Sequence, residues 1–144
     1  MLNQGAKTAD FHSVNQGTHI LVVDDEAPIR AVVRVRLESA GFRVTEARNG
    51  LEAMAVVRAD RPALIISDYQ MPAMNGMAMA EAMRADPRLS NVPIVLLTAR
   101  GYVLDPAQVR DTNIRTVMGK PFSLKSLMEQ VYIALPGCSG GLAA

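Results

Sequence analysis

Five short runs of aliphatic and β-branched residues alternate strictly with stretches that carry helix signals, and this alternation constrains the fold more than any other feature of the chain. The runs are Ile20-Leu21-Val22-Val23, Arg43-Val44-Thr45, Leu64-Ile65-Ile66, Ile94-Val95-Leu96-Leu97 and Ile114–Met118. Three of the five are continuously apolar, as strands covered on both faces must be, whereas a half-solvated strand alternates apolar with polar. Between them, Pro28 suits the first turn of a helix and Gly41 the left-handed residue just past its end. Asn49-Gly50 and Asn75-Gly76 open two further helices, Asp105-Pro106 a short fourth, and Ser123 caps a fifth. The pattern specifies an α/β fold, a five-stranded parallel sheet with helices on both faces. Ligands of such sheets sit outside the carboxyl ends of the strands.

Composition fits one such unit. The chain has 144 residues, 49% of them hydrophobic, and its formal charge of +1 implies neither direct nucleic-acid binding nor attraction to an anionic membrane. No apolar run approaches the ~18 residues of a membrane span, so membrane insertion is not expected. Residues 1–18 are polar and read as a flexible leader, 19–135 as the folded domain, and 136–144, rich in Gly, as a flexible tail. The single cysteine, Cys138, fits a reducing compartment, and a cytoplasmic location is expected.

The chemistry gathers at the strand ends. The first strand ends in Asp24-Asp25-Glu26, the third in Asp68, the fourth in Thr98, and the fifth runs into Lys120-Pro121. A parallel sheet brings all of them to one rim. Carboxylates ~4 Å apart repel by roughly 4 kcal/mol per pair at an effective dielectric of about 20, so the cluster needs a counter-charge. Hard oxygen ligands select Mg²⁺ or Ca²⁺, and Mg²⁺ takes one or two carboxylates together with waters and a phosphate oxygen. A lysine offers a point charge for a phosphoryl oxygen, a threonine a hydroxyl, and a carboxylate can itself be the nucleophile. The parts match phosphoryl transfer to a carboxylate. Taken singly, each has an ordinary reading: Asp24-Asp25 as a helix-entry cap, Asp68 as a turn residue, Thr98 and Lys120 as surface residues. Their joint placement at four strand ends separates the two readings.

The segments Ile20–Glu26, Ser67–Gly76, Leu96–Ala99 and Lys120-Pro121-Phe122 together resemble the receiver domain of two-component response regulators. The resemblance covers 19–135 and implies a flavodoxin-like sheet of order 2-1-3-4-5. It implies Asp68 as phosphoacceptor and Mg²⁺ as cofactor, held by Asp24, Asp25, Asp68 and the backbone carbonyl of Gln70. Thr98 would move towards the phosphoryl group and Lys120 would pair with it. The Lys120-Pro121 bond is expected to be cis. Gln70 and Arg100 stand where the family tunes the lifetime of the phosphoryl group. The implied partners are a sensor histidine kinase or a histidine phosphotransfer protein, with the downstream target open.

Val117 departs from the family, which carries an aromatic switch residue there; Tyr102 is the nearest substitute in sequence. Two other functions compete. A receiver-shaped binding module without phosphorylation is kept open by Val117. A small Mg²⁺-dependent phosphatase or phosphotransferase of the haloacid-dehalogenase kind needs a general acid two residues after its nucleophile, and Gln70 cannot protonate a leaving group. The remaining candidates have structural readings: Met71, Met74, Met77, Met79 and Met83 as core filling, His12 and His19 as incidental, and Arg30 with Arg34 as a solvated helix face.

Overall fold

The computed structural model describes residues 15–99 and 104–135. Five strands alternate with five helices: β1 His19–Val23, α1 Ala27–Ser39, β2 Arg43–Ala47, α2 Gly50–Ala59, β3 Leu64–Asp68, α3 Gly76–Arg84, β4 Ile94–Ala99, α4 Pro106–Arg110, β5 Ile114–Lys120 and α5 Leu124–Ala134. All strand pairs are parallel and the sheet order is β2-β1-β3-β4-β5. The three continuously apolar runs form the three central strands, where helices cover both faces. Edge strands β2 and β5 carry the mixed sequences.

Side-chain alternation along the strands divides the core in two. Leu21, Val23, Ile65, Ile94 and Leu96 face one layer, where they meet Ala53, Met54 and Val57 of α2 and Met79, Ala80 and Met83 of α3. Ile20, Val22, Ile66, Val95 and Leu97 face the other, packing on Val33 and Leu37 of α1 and Leu127, Met128 and Val131 of α5. Met71, Met77, Met79 and Met83 are buried in the first layer, with Met74 packed against it, as their core reading requires. One irregularity interrupts the pairing. Ile94 pairs with Ile114 but Val95 with Thr116, so β5 bulges at Arg115.

The expected punctuation is in place. Asn49 and Asn75 accept hydrogen bonds from the Glu52 and Ala78 amides as N-caps, Asp105 and Ser123 cap α4 and α5, and Gly41 has φ +102°. Asn15 and Thr18, placed in the leader on their polarity, are anchored to the domain, while Gln16 and Gly17 between them are exposed. Asn15 is buried and its Nδ2 donates to the Ala40 carbonyl at 2.8 Å. The rest of the expected leader, the tail 136–144 with Cys138, and His12, Arg100 and Tyr102 lie outside the described residues. Among the described residues, no helix is long and apolar enough to cross a membrane.

Candidate functional site

β1 and β3 lie side by side in the middle of the sheet, so the residues that follow their last ladder pairs meet. Asp24 comes directly after β1, its amide still donating to Ala47 of β2 at 3.1 Å. Its side chain is buried: Oδ1 accepts from the Glu26 amide at 2.9 Å, and Oδ2 accepts from Lys120 Nζ at 3.0 Å. Asp68 is the last residue of β3, also buried, with Oδ1 3.3 Å from the same ammonium. Glu26 Oε1 lies 3.6 Å from it. The ammonium thus stands between acidic groups separated from it by 52 to 96 positions in the chain, and it supplies the counter-charge the cluster needs.

One carboxylate oxygen each from Asp24, Asp25 and Asp68 lie within 4.8 Å of one another, with Asp25 exposed and the other two buried. Three hard oxygen donors at that separation fit a small divalent cation. Burial pushes the Asp68 carboxyl above its usual range, the negative charge of Asp24 pushes it further, and Lys120 pulls it back. For Lys120, burial alone would lower the pKa. The bond to Asp24 and the charges of Asp24 and Asp68 outweigh it and raise the ammonium above its usual value.

The remaining expected residues reach the same edge. Asp68 pairs with Leu97, so Thr98, buried, is the next residue along β4, and its register partner is Gly119. Gln70 is exposed and borders the same open groove as Asp25, Asp68 and Lys120, which has a volume of about 870 Å³. Away from the carboxylates that groove becomes apolar, between Ile29 and Val32 of α1 and Phe122 beyond β5. The Lys120-Pro121 peptide is cis. Val117 pairs with Leu96 and is 40% exposed, so the position that lacks an aromatic ring is open at the surface of the edge strand.

Two local features hold the acceptor loop. The Tyr69 amide donates to Leu97 O at 2.7 Å and the Gly76 amide to Tyr69 O at 2.9 Å, folding the loop back over the end of β3. A Cβ on Gly76 would lie 2.6 Å from Leu96 Cδ1 and 2.7 Å from Asp68 O, so only glycine fits there. Arg30 was missed at the sequence level. It is not solvated: its side chain is 13% exposed, and Nη1 donates to the Asp24 carbonyl at 2.6 Å. No local pattern announces that bond, because its acceptor is main chain. The one available signal is Glu46, an acid on β2 that answers an arginine on α1.

Known proteins share the sequence pattern and the fold. Residues 20–132 match the response regulator receiver domain family. The phosphate regulon transcriptional regulatory protein PhoB of Pseudomonas aeruginosa is 36% identical over 119 residues, covering 83% of this chain and 52% of that protein. Response regulator Rre1 of Synechocystis is 39% identical over 104 residues, 72% of this chain and 45% of that one. The chain therefore spans about half the length of the curated relatives it matches. Among solved structures, the chemotaxis response regulator CheY4 of Vibrio cholerae superposes with a TM-score of 0.76 at 29% identity, covering 83% of this chain and 99% of that one. The receiver domain of sensor histidine kinase PA1611 from Pseudomonas aeruginosa, with a magnesium ion coordinated in its active-site cleft, gives 0.74 at 27% identity, with 83% and 98% covered. By sequence and by fold, the chain belongs to the response regulator receiver domain family.

Proposed function

We propose that Asp68 is the phosphoacceptor of a two-component phosphorelay and that the chain works as a phosphorylation-controlled signalling module. The observation that carries this reading is the convergence of Asp24, Asp68 and Lys120, with Lys120 Nζ 3.0 Å from one carboxylate and 3.3 Å from the other. Asp68 Oδ attacks the phosphorus of a phosphohistidine or an acyl phosphate. The new O–P bond forms as the P–N or P–O bond breaks, and the leaving group keeps the electron pair, imidazole taking a proton from solvent. Lys120 lies where it can transfer its contact from the carboxylates to a phosphoryl oxygen, and Thr98 brings a hydroxyl to the same edge. Asp24, Asp25, Asp68 and the Gln70 carbonyl would hold Mg²⁺, which when bound neutralises charge on the phosphoryl oxygens.

The phosphodonor partner is a sensor histidine kinase or a histidine phosphotransfer protein, and the apolar groove beside Asp68 offers it a contact surface. The chain acts on its own aspartate and turns over no external substrate. Phosphorylation adds about −1.5 to −2 charges at the rim, and the output is altered binding of another protein. With Val117 in place of a ring, the change is transmitted without an aromatic reorientation at that position. Incubation with a small acyl-phosphate donor and Mg²⁺, read by intact-protein mass spectrometry, should give one phosphoryl adduct that is absent from Asp68→Asn. An adduct persisting in that variant would overturn the assignment.

A further inference from the structure

Arg30 makes no contact with the acceptor aspartate, yet it grips the main chain of the acidic pair. Its Nη1 donates to the Asp24 carbonyl at 2.6 Å and its Nε to Glu46 Oε1 at 3.0 Å. The second Glu46 oxygen lies 2.9 Å from Arg34 Nε, and Arg34 Nη1 donates to Glu38 Oε1 at 3.0 Å. The Asp24 amide meanwhile donates to the carbonyl of Ala47, the residue after Glu46. Both peptide groups of Asp24 are thereby tied to β2, one directly and the other through Arg30 and Glu46.

We infer that Arg30 is a positioning residue that fixes the Asp24–Asp25 peptide at the end of β1 and so sets the affinity of the acidic cluster for its divalent cation. The carbonyl that Arg30 holds belongs to the peptide plane that leads into Asp25. Rotation of that plane would swing the Asp25 carboxylate, which is exposed and depends on the main chain for its direction. The effect is geometric rather than electrostatic. A cation near the cluster would by itself repel Mg²⁺, but the charge of Arg30 is already matched by Glu46. A lysine keeps the charge and loses the planar fork that serves two acceptors in different directions.

The inference rests on the receiver reading for its cation, and the experiment separates the two. Mg²⁺ is titrated calorimetrically into wild type, Arg30→Lys and Glu46→Gln, and amide hydrogen exchange is measured on the metal-free proteins. Arg30→Lys should weaken Mg²⁺ binding by about 3–10-fold, below the 10–100-fold typical when a group bonded directly to a metal ligand's side chain is lost. Exchange should accelerate at the Asp24 and Glu26 amides, which are bonded to Ala47 O and Asp24 Oδ1, while the central strands stay protected. Glu46→Gln should show the same change more weakly, and it serves in place of Arg30→Lys if that variant does not fold. Mg²⁺ binding within about twofold of wild type overturns the inference, since outer contacts that orient ligands cost more than that. Faster exchange spread evenly over the sheet also overturns it, because it marks a general structural role. If wild type itself binds no Mg²⁺, the receiver reading fails, and metal-free exchange at Asp24 and Glu26 still decides whether Arg30 holds the turn.

Discussion

At the scale of single residues, Asp68 is under two opposed demands, since a nucleophile must be ionised and burial beside Asp24 favours its protonated form. Because its folded pKa is raised, the stability tied to that carboxyl is present below the ordinary value of 3.8 and is lost as pH rises through the folded value. Asp68→Asn removes the ionisation and keeps the shape. In a chelating buffer at neutral pH the variant should melt higher than wild type, and the gap should close as pH falls into the carboxylate range. Mg²⁺ should raise the melting temperature of wild type more than that of the variant. The identities of these residues were legible in the sequence because their types and strand-end positions carry chemistry together. Arg30 was not, because its one functional bond runs to a carbonyl oxygen, which every residue has.

The elements place those residues by very short means. β3 carries Asp68 as its last residue, and the loop after it turns back so tightly that α3 begins against the strand it has just left. Gly76→Ala puts a methyl group against Asp68 O and Leu96 Cδ1, and the oxygen is main chain that cannot give way without moving the acceptor. We expect a loss of about 1–3 kcal/mol in chemical denaturation, in the range of overpacked cores. Slower phosphorylation from a small-molecule donor should accompany it. An alanine at the exposed Leu51 should do neither. Helix and strand positions were legible from caps and apolar runs, and the third and fifth strands were read as reaching Asp68 and Lys120. β3 and β5 run on through Asp68 and Lys120, because main-chain pairing with β4 continues where the side chains have already turned polar.

Across the whole molecule, the sheet separates its two edges. The carboxyl edge gathers the charges needed for chemistry, and the amino edge is closed by polar anchoring, with Asn15 on Ala40 O and the His19 Nε2 and Thr45 Oγ1 atoms 2.8 Å apart. His19 is buried, its Nδ1 3.8 Å from Asp60 Oδ2, which also accepts from Arg43 Nη1 at 3.0 Å. Burial lowers its pKa and the charge of Arg43 lowers it further, against Asp60. With the folded pKa depressed, the stability contributed by neutral His19 is present above the ordinary value of 6.5 and is lost as pH falls through the folded value. His19→Gln should therefore lose less stability than wild type between neutral and mildly acid pH, as read by thermal unfolding. The fold class was legible because a doubly covered sheet imposes unbroken apolar runs. The anchoring of Asn15 and Thr18 was not, since it is by hydrogen bond and leaves no hydrophobic trace.

The extra residue in β5 acts as a phase inverter. Ile114 packs into the α2–α3 layer and Met118 towards the α1–α5 layer, although four residues along an uninterrupted strand would return a side chain to the same side. Arg115 supplies the odd step, and every side chain from Thr116 to Lys120 inherits the reversal. Deleting that one arginine would leave the strand's composition almost untouched and point the ammonium away from Asp24 and Asp68. Lys120 thus owes its orientation to a half-period offset introduced at the opposite end of its own strand.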